Sequence, residues 1–158
     1  STFTLDIPFK IPNHLISHET HDVSQEQPLC SLHILVVEDN IVNQKVVIRF
    51  LTKQGHTVIV ADNGHLAIEA FEREVFDLIL MDLQMPEMDG ITATLCIRNI
   101  EREGRRKTPI VAMTAHAAKS DENACYDAGM DDFIVKPFKP KTLNGVLSRF
   151  SKLVNNPR

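Results

Sequence analysis

The sequence predicts an α/β domain in which a parallel sheet is covered by helices on both faces. Three observations carry that expectation: short apolar runs that are continuous rather than alternating, segments of helical length and periodicity between them, and an unbroken alternation of the two from His33 onward. Strands buried on both faces read as continuous runs rich in Val and Ile, as in parallel sheets. Strands alternating with helices are joined by right-handed crossovers into a doubly wound sheet.

The elements follow in order. HILVV (33–37) is the first strand, and a helix over 40–54 places Val46, Val47, Phe50 and Leu51 on one face, with Gly55 as its C-terminal cap. TVIVA (57–61) is the second strand; Asn63 can then cap a helix over 64–74 that groups Ala67, Ala70 and Phe71. FDLILM (76–81) is the third, followed by a helix over 89–102 that starts at Asp89 and ends before Gly104. PIVAMT (109–114) is the fourth, and its helix, 117–128, stops at Gly129. DFIV (132–135) is the fifth, and a helix over 140–152 sets Leu143, Val146, Leu147 and Phe150 in one stripe. Met81, Met85 and Met88 read as packing residues, and Asp131 and Asp132 as solvated charges before the fifth strand.

Upstream the pattern changes. STFTLDIPF alternates like a strand with nothing nearby to pair with, and residues 11–31 carry Pro12, Pro28 and three histidines without periodicity. The expected organisation is an orphan strand over 1–10 left from a preceding domain, a linker over 11–31, one domain over 32–153 and a tail over 154–158. Starting at Ser1 without a methionine, the sequence is expected to be a piece of something longer. His14, His18 and His21 have helical metal-ligand spacing, but they lack a Cys partner or an H-E-x-x-H order and read as linker residues.

Composition narrows the function. With 158 residues, 43% hydrophobic and 24% charged, the chain suits a single globular core. A net charge of -4 gives no basic footprint for nucleic acid. Cys30, Cys96 and Cys125 form no C-x-x-C pair, which fits free thiols and a cytoplasmic setting. No apolar run reaches the length of a membrane span, and no signal-peptide pattern opens the sequence.

The polar residues at strand ends point to chemistry. In a doubly wound sheet, ligands bind beyond the carboxyl ends of the strands. The first strand ends in Glu38-Asp39, the third in Asp82, the fourth in Thr114 and the fifth in Lys136-Pro137. Singly, each has an ordinary explanation: a solvated loop carboxylate, helix N-terminal charges, a strand threonine, a surface lysine. Parallel strands bring all of them to one edge. Two like charges about 4 Å apart cost on the order of 4 kcal/mol at an effective dielectric near 20, so three carboxylates require a cation. Hard oxygen donors suit Mg²⁺. A metal, a lysine and a hydroxyl around one carboxylate are the parts that stabilise a transferring phosphoryl group, which makes Asp82 the candidate nucleophile and Glu38 and Asp39 the candidate metal ligands.

VVEDN, LILMDLQMPEMDG, VAMTA and IVKPF, in this order and spacing, resemble the receiver domain of two-component response regulators over residues 32–153. The resemblance implies a flavodoxin-like three-layer sandwich of five βα units, strand order 2-1-3-4-5. It implies that Asp82 accepts phosphate from a partner's phosphohistidine, that Mg²⁺ is held by Glu38, Asp39, Asp82 and the Gln84 backbone carbonyl, and that Thr114 and Lys136 contact the phosphoryl oxygens. Phe133 takes the aromatic switch position, Lys136-Pro137 is expected to be cis, and small Ala115 leaves the acceptor open. Two positions depart from the usual pattern: Glu38 replaces an aspartate, and Phe133 replaces a tyrosine, so switching there relies on packing without a hydroxyl.

EDN followed by Asn43-Gln44 is similar to receivers fused to hybrid sensor histidine kinases, and STFTLDIPF to the last strand of their ATP-binding domain. That implies two partners, a histidine kinase core and a histidine-containing phosphotransfer protein, with a parent kinase that is either soluble or anchored in a membrane. Ile41, Lys45, Ile48 and Thr52 share a face of the first helix away from its core stripe and form a candidate docking patch. Three alternatives compete. A phosphatase of the haloacid dehalogenase type needs an aspartate where Gln84 stands; a flavin-binding protein would find Glu38-Asp39 repelling its phosphate; a receiver-like interaction module would not need all four chemical positions.

Overall fold

A computed structural model describes residues 30–155. The orphan strand, the histidines of the linker and residues 156–158 lie outside the described residues. The rest alternates strictly: β1 (His33–Val37), α1 (Ile41–Lys53), β2 (Thr57–Ala61), α2 (Gly64–Arg73), β3 (Leu78–Asp82), α3 (Gly90–Arg102), β4 (Ile110–Thr114), α4 (Lys119–Asp127), β5 (Asp132–Val135) and α5 (Pro140–Asn155). The five strands are parallel in the order β2-β1-β3-β4-β5. This is the flavodoxin-like receiver fold expected from the sequence.

Side-chain alternation along each strand splits the core into two layers. Leu35, Val37, Ile79, Met81, Ile110 and Ala112 face α2 and α3, burying Ala67, Phe71, Ala93 and Ile97. Ile34, Val36, Leu78, Leu80, Val111 and Met113 face the other way, against Val47 and Leu51 of α1 and Leu143, Val146, Leu147 and Phe150 of α5. β1, β3 and β4 are central, which is why their runs are continuous rather than alternating. Asn40, Asn63 and Asp89 cap α1, α2 and α3, accepting from backbone N–H groups of the first turn.

Three sequence expectations need correction. Val46 is not on the core stripe of α1; it is 60% exposed. The buried positions are Gln44, Val47 and Leu51, and one residue turns a helix by about 100°, which carries Val46 out to solvent. Gln44 goes inside because its amide is matched, donating to Glu38 O at 2.6 Å and to Asp62 Oδ1 at 2.7 Å. Asp131 and Asp132 are not free charges in solvent but half-buried and paired. Asp131 accepts from Arg98 and Lys107 at 2.9 and 3.0 Å and from the Ile110 N–H, while Asp132 pairs with Arg149. α5 also continues to Asn155, past its expected end.

Candidate functional site

Every strand of the sheet points its carboxyl end the same way, so β1, β3, β4 and β5 deliver their following residues to one edge. Asp82 is the last residue of β3, 2% exposed. Its place is set on both sides: β1 and β4 pair with β3, Asp82 lies in register with Met113, and the Leu83 N–H donates to Met113 O. Glu38 follows β1 and is 1% exposed, whereas Asp39 is exposed. Glu38, Asp39 and Asp82 each offer a carboxylate oxygen within 4.8 Å of the others.

Lys136 follows β5 and enters between two of these groups, its Nζ 3.0 Å from both Glu38 Oε2 and Asp82 Oδ2. The Lys136-Pro137 peptide is cis, and the Lys136 N–H donates to Thr114 O at 2.7 Å. The second oxygen of Asp82 accepts from the Gln84 N–H at 3.1 Å. Glu38 Oε1 accepts from the Asn43 amide at 3.1 Å and from the Asn40 N–H at 3.3 Å, so Asn43, read from sequence only as a family trace, steadies the buried glutamate. Thr114 is buried at the end of β4, its hydroxyl donating to His116 O at 3.0 Å and accepting the His116 N–H at 3.2 Å.

Burial pushes the Asp82 carboxyl above its ordinary value; the Lys136 ammonium and the Gln84 N–H pull it down and the Glu38 charge pushes it up. For Lys136, burial opposes the charge, but the hydrogen bonds to Glu38 and Asp82 outweigh it and raise the ammonium. The crevice thus holds more negative charge than its lysine offsets. An all-oxygen set of one exposed and two buried carboxylates is a donor set that a hard divalent cation fits.

Residues predicted to work elsewhere fall into two groups. Phe133 is half-buried on β5, its ring edge-on to Tyr126 at 6.4 Å, and Ala115 is exposed. On α1, Ile41 is 63% exposed and Lys45 is exposed, but Ile48 is half-buried rather than open. Exposed Val42 and Val46 extend the apolar surface instead. Gln84 is exposed, close to the carboxylates through its N–H.

This fold and edge define a small α/β domain with an acidic, metal-competent crevice beside a half-buried lysine. Residues 34–148 match the family model described as response regulator receiver domain, and the chain belongs to that family. It is 44% identical over 134 residues to the hybrid signal transduction protein dokA of Dictyostelium discoideum, covering 85% of this chain and 8% of that protein. It is 40% identical over 126 residues to the sensor protein GacS of Pseudomonas syringae pv. syringae, covering 78% and 14%. The chain spans a small fraction of the length of these relatives, and the similarity lies in their receiver portion. Among solved structures, the receiver domain of sensor histidine kinase PA1611 from Pseudomonas aeruginosa, with a magnesium ion in its active-site cleft, is 41% identical with a TM-score of 0.70, covering 77% of this chain and 98% of that one. The receiver domain of Ssk1 from Saccharomyces cerevisiae, crystallised with the histidine phosphotransfer protein Ypd1, is 29% identical with a TM-score of 0.75, covering 80% and 93%. No helix among the described residues is long and apolar enough to cross a membrane.

Proposed function

We propose that this receiver takes a phosphoryl group from a phosphohistidine onto Asp82 and relays it to a histidine-containing phosphotransfer protein, within a chain whose kinase core lies in the same parent. The observation that carries the reading is Asp82 itself: buried, raised by burial and held 3.0 Å from Lys136 at the crowded acidic edge. A carboxylate there is costly to keep unless it is used.

One Asp82 oxygen attacks phosphorus as the P–N bond to the partner's imidazole breaks, and the imidazole nitrogen leaves with the bonding electrons. Lys136 offsets charge on the transferring oxygens, and the Thr114 hydroxyl turns from His116 to an oxygen of the product. Glu38, Asp39, Asp82 and the Gln84 carbonyl would hold Mg²⁺, which when bound neutralises phosphoryl charge. The aspartyl phosphate carries roughly -1.5 to -2 of charge where the carboxylate carried -1, and its pull on Thr114 biases β4, α4 and Phe133 toward a second arrangement. Gln84 disfavours a turnover phosphatase, since it is an amide where that chemistry needs a carboxylic acid. Ile41 and Lys45, extended by Val42 and Val46, form the docking face.

Acetyl phosphate with Mg²⁺ is expected to add one phosphoryl group per chain by intact mass; Asp82→Asn or a chelator is expected to abolish it. Labelling of Asp82→Asn at the wild-type level would refute the reading. For the docking face, Ile41→Asp with Val46→Asp should slow transfer from a phosphorylated phosphotransfer protein and leave acetyl phosphate labelling unchanged.

A further inference from the structure

The loop from Leu83 to Asp89 is tied down at its ends. The Leu83 N–H donates to Met113 O, the Gly90 N–H returns to Leu83 O at 3.1 Å, and Asp89 caps α3 through the Thr92 N–H. Gly90 presses so close that a Cβ there would lie 2.2 Å from Asp82 O. The middle has no such ladder. Its one internal backbone bond, Met88 N–H to Pro86 O at 2.8 Å, closes a three-residue turn around Glu87, whose φ is +69. A turn of that hand is rare and strained, and holds its shape when something outside it does the holding.

Met85 seats the loop in the core beneath it, and a second restraint comes from α2. Gly64, the first residue of that helix, is buried against the Met88 side chain: a Cβ on it would lie 2.7 Å from Met88 Cγ, 2.8 Å from Sδ and 3.0 Å from Cβ. Gly64 is not among the glycines with left-handed φ, so backbone freedom does not explain it, and alanine is the better helix former. What glycine supplies here is space.

We propose that Gly64 is a positioning residue for the acceptor loop: the side chain it lacks is the seat of Met88, and that seat fixes the course of residues 84–88 beside Asp82. The latch stands on packing alone; its consequence for phosphorylation rests on the reading of Asp82 above. Gln84, whose N–H holds Asp82 Oδ1, is the residue through which a shifted loop reaches the acceptor.

Three variants test it: Gly64→Ala, Met88→Ala and the double. Amide exchange is measured at Gln84 and Met88, together with Mg²⁺ affinity by calorimetry, acetyl phosphate labelling rate and melting temperature. On propensity alone Gly64→Ala should stabilise α2. The latch predicts instead faster exchange at Gln84 and Met88, weaker Mg²⁺ binding and labelling slowed on the order of tenfold, because small misplacements near reacting atoms are costly. Met88→Ala should have the milder effect, and the double variant should return most of the way to the level of Met88→Ala, since truncation removes the Cγ and Sδ that the added methyl would strike at 2.7 and 2.8 Å and leaves only the Cβ at 3.0 Å. Wild-type exchange and labelling in Gly64→Ala, or a double variant as poor as the product of the singles, would overturn the latch. If wild-type protein takes no phosphoryl group on Asp82, the functional reading falls while the exchange rates still decide the latch.

Discussion

At the carboxyl ends of the strands, Glu38 and Asp82 share one ammonium, Lys136, with the Asp39 carboxylate beside them; at the amino ends, Arg98 and Lys107 face Glu101 and Asp131. The amino-end cluster is matched in charge and densely hydrogen-bonded. Arg98 donates to Glu101, Asp131, Gly129 O and Thr108 O at 2.6–2.9 Å, and the two carboxylates accept the Thr108 and Ile110 N–H groups that open β4. Such a network ties α3 to the starts of β4 and β5 and leaves no excess charge to attract a ligand ion. The carboxyl-end cluster has the same ingredients in an unbalanced ratio. Matched buried charge holds a fold together, and mismatched buried charge marks a place where something else must bind.

The comparison breaks most sharply at Arg98. Arg98→Met leaves buried Glu101 without its cation and half-buried Asp131 with Lys107 alone, and should destabilise by about 3 kcal/mol or more in denaturant melts, while Mg²⁺ affinity of the folded protein holds. At the other edge, adding the missing cation should stabilise: Mg²⁺ at about 100 times its Kd contributes about 2.7 kcal/mol, and Asp39→Asn should remove most of that gain. Smaller, and of opposite sign to Arg98→Met, is Asp82→Asn without metal. Because burial holds the Asp82 carboxyl above its ordinary value, the folded state binds that proton more readily than the unfolded one, so stability falls as pH rises through the titration. The variant should therefore melt higher than wild type at neutral pH, and the advantage should vanish in acid, where Asp82 is protonated in both states.

The smallest effect belongs to His56, buried beneath the start of β1, where its Nδ1 accepts the Leu32 N–H at 3.1 Å. Burial lowers its pKa from 6.5. As pH falls below 6.5 the unfolded chain gains the proton first, so the stability conferred by neutral His56 is present above that value and is lost as pH falls through the lowered pKa. His56→Gln keeps an acceptor for Leu32 and should flatten this acid limb in melts at several pH values.

The strands and the four strand-end positions were legible because each is a local pattern, an apolar run closed by one polar residue, and parallel topology does the gathering. What the sequence hid depends on partners far along the chain. Asp131 reads as a loop charge until Arg98, thirty-three residues away, is folded onto it. Gln44 reads as a surface residue until Asp62 and the Glu38 carbonyl meet its amide. Val46 reads as core because it is apolar, yet the stripe is set by Gln44, Val47 and Leu51. Gly64 carries no periodic signal, and its role shows only in the side chain that fills its space.

The central claim is that the unbalanced edge exists to place a phosphoryl group on Asp82, and the most direct measurement is chemical mapping. After exposure to a phosphohistidine donor, borohydride reduction converts an aspartyl phosphate to homoserine and a glutamyl phosphate to 5-hydroxynorvaline at the residue that carried it. The account predicts homoserine at position 82 in peptide sequencing by mass spectrometry, dependent on Mg²⁺. Homoserine at position 39, 5-hydroxynorvaline at position 38, or a transferred phosphoryl group that leaves position 82 an unmodified aspartate, would contradict it.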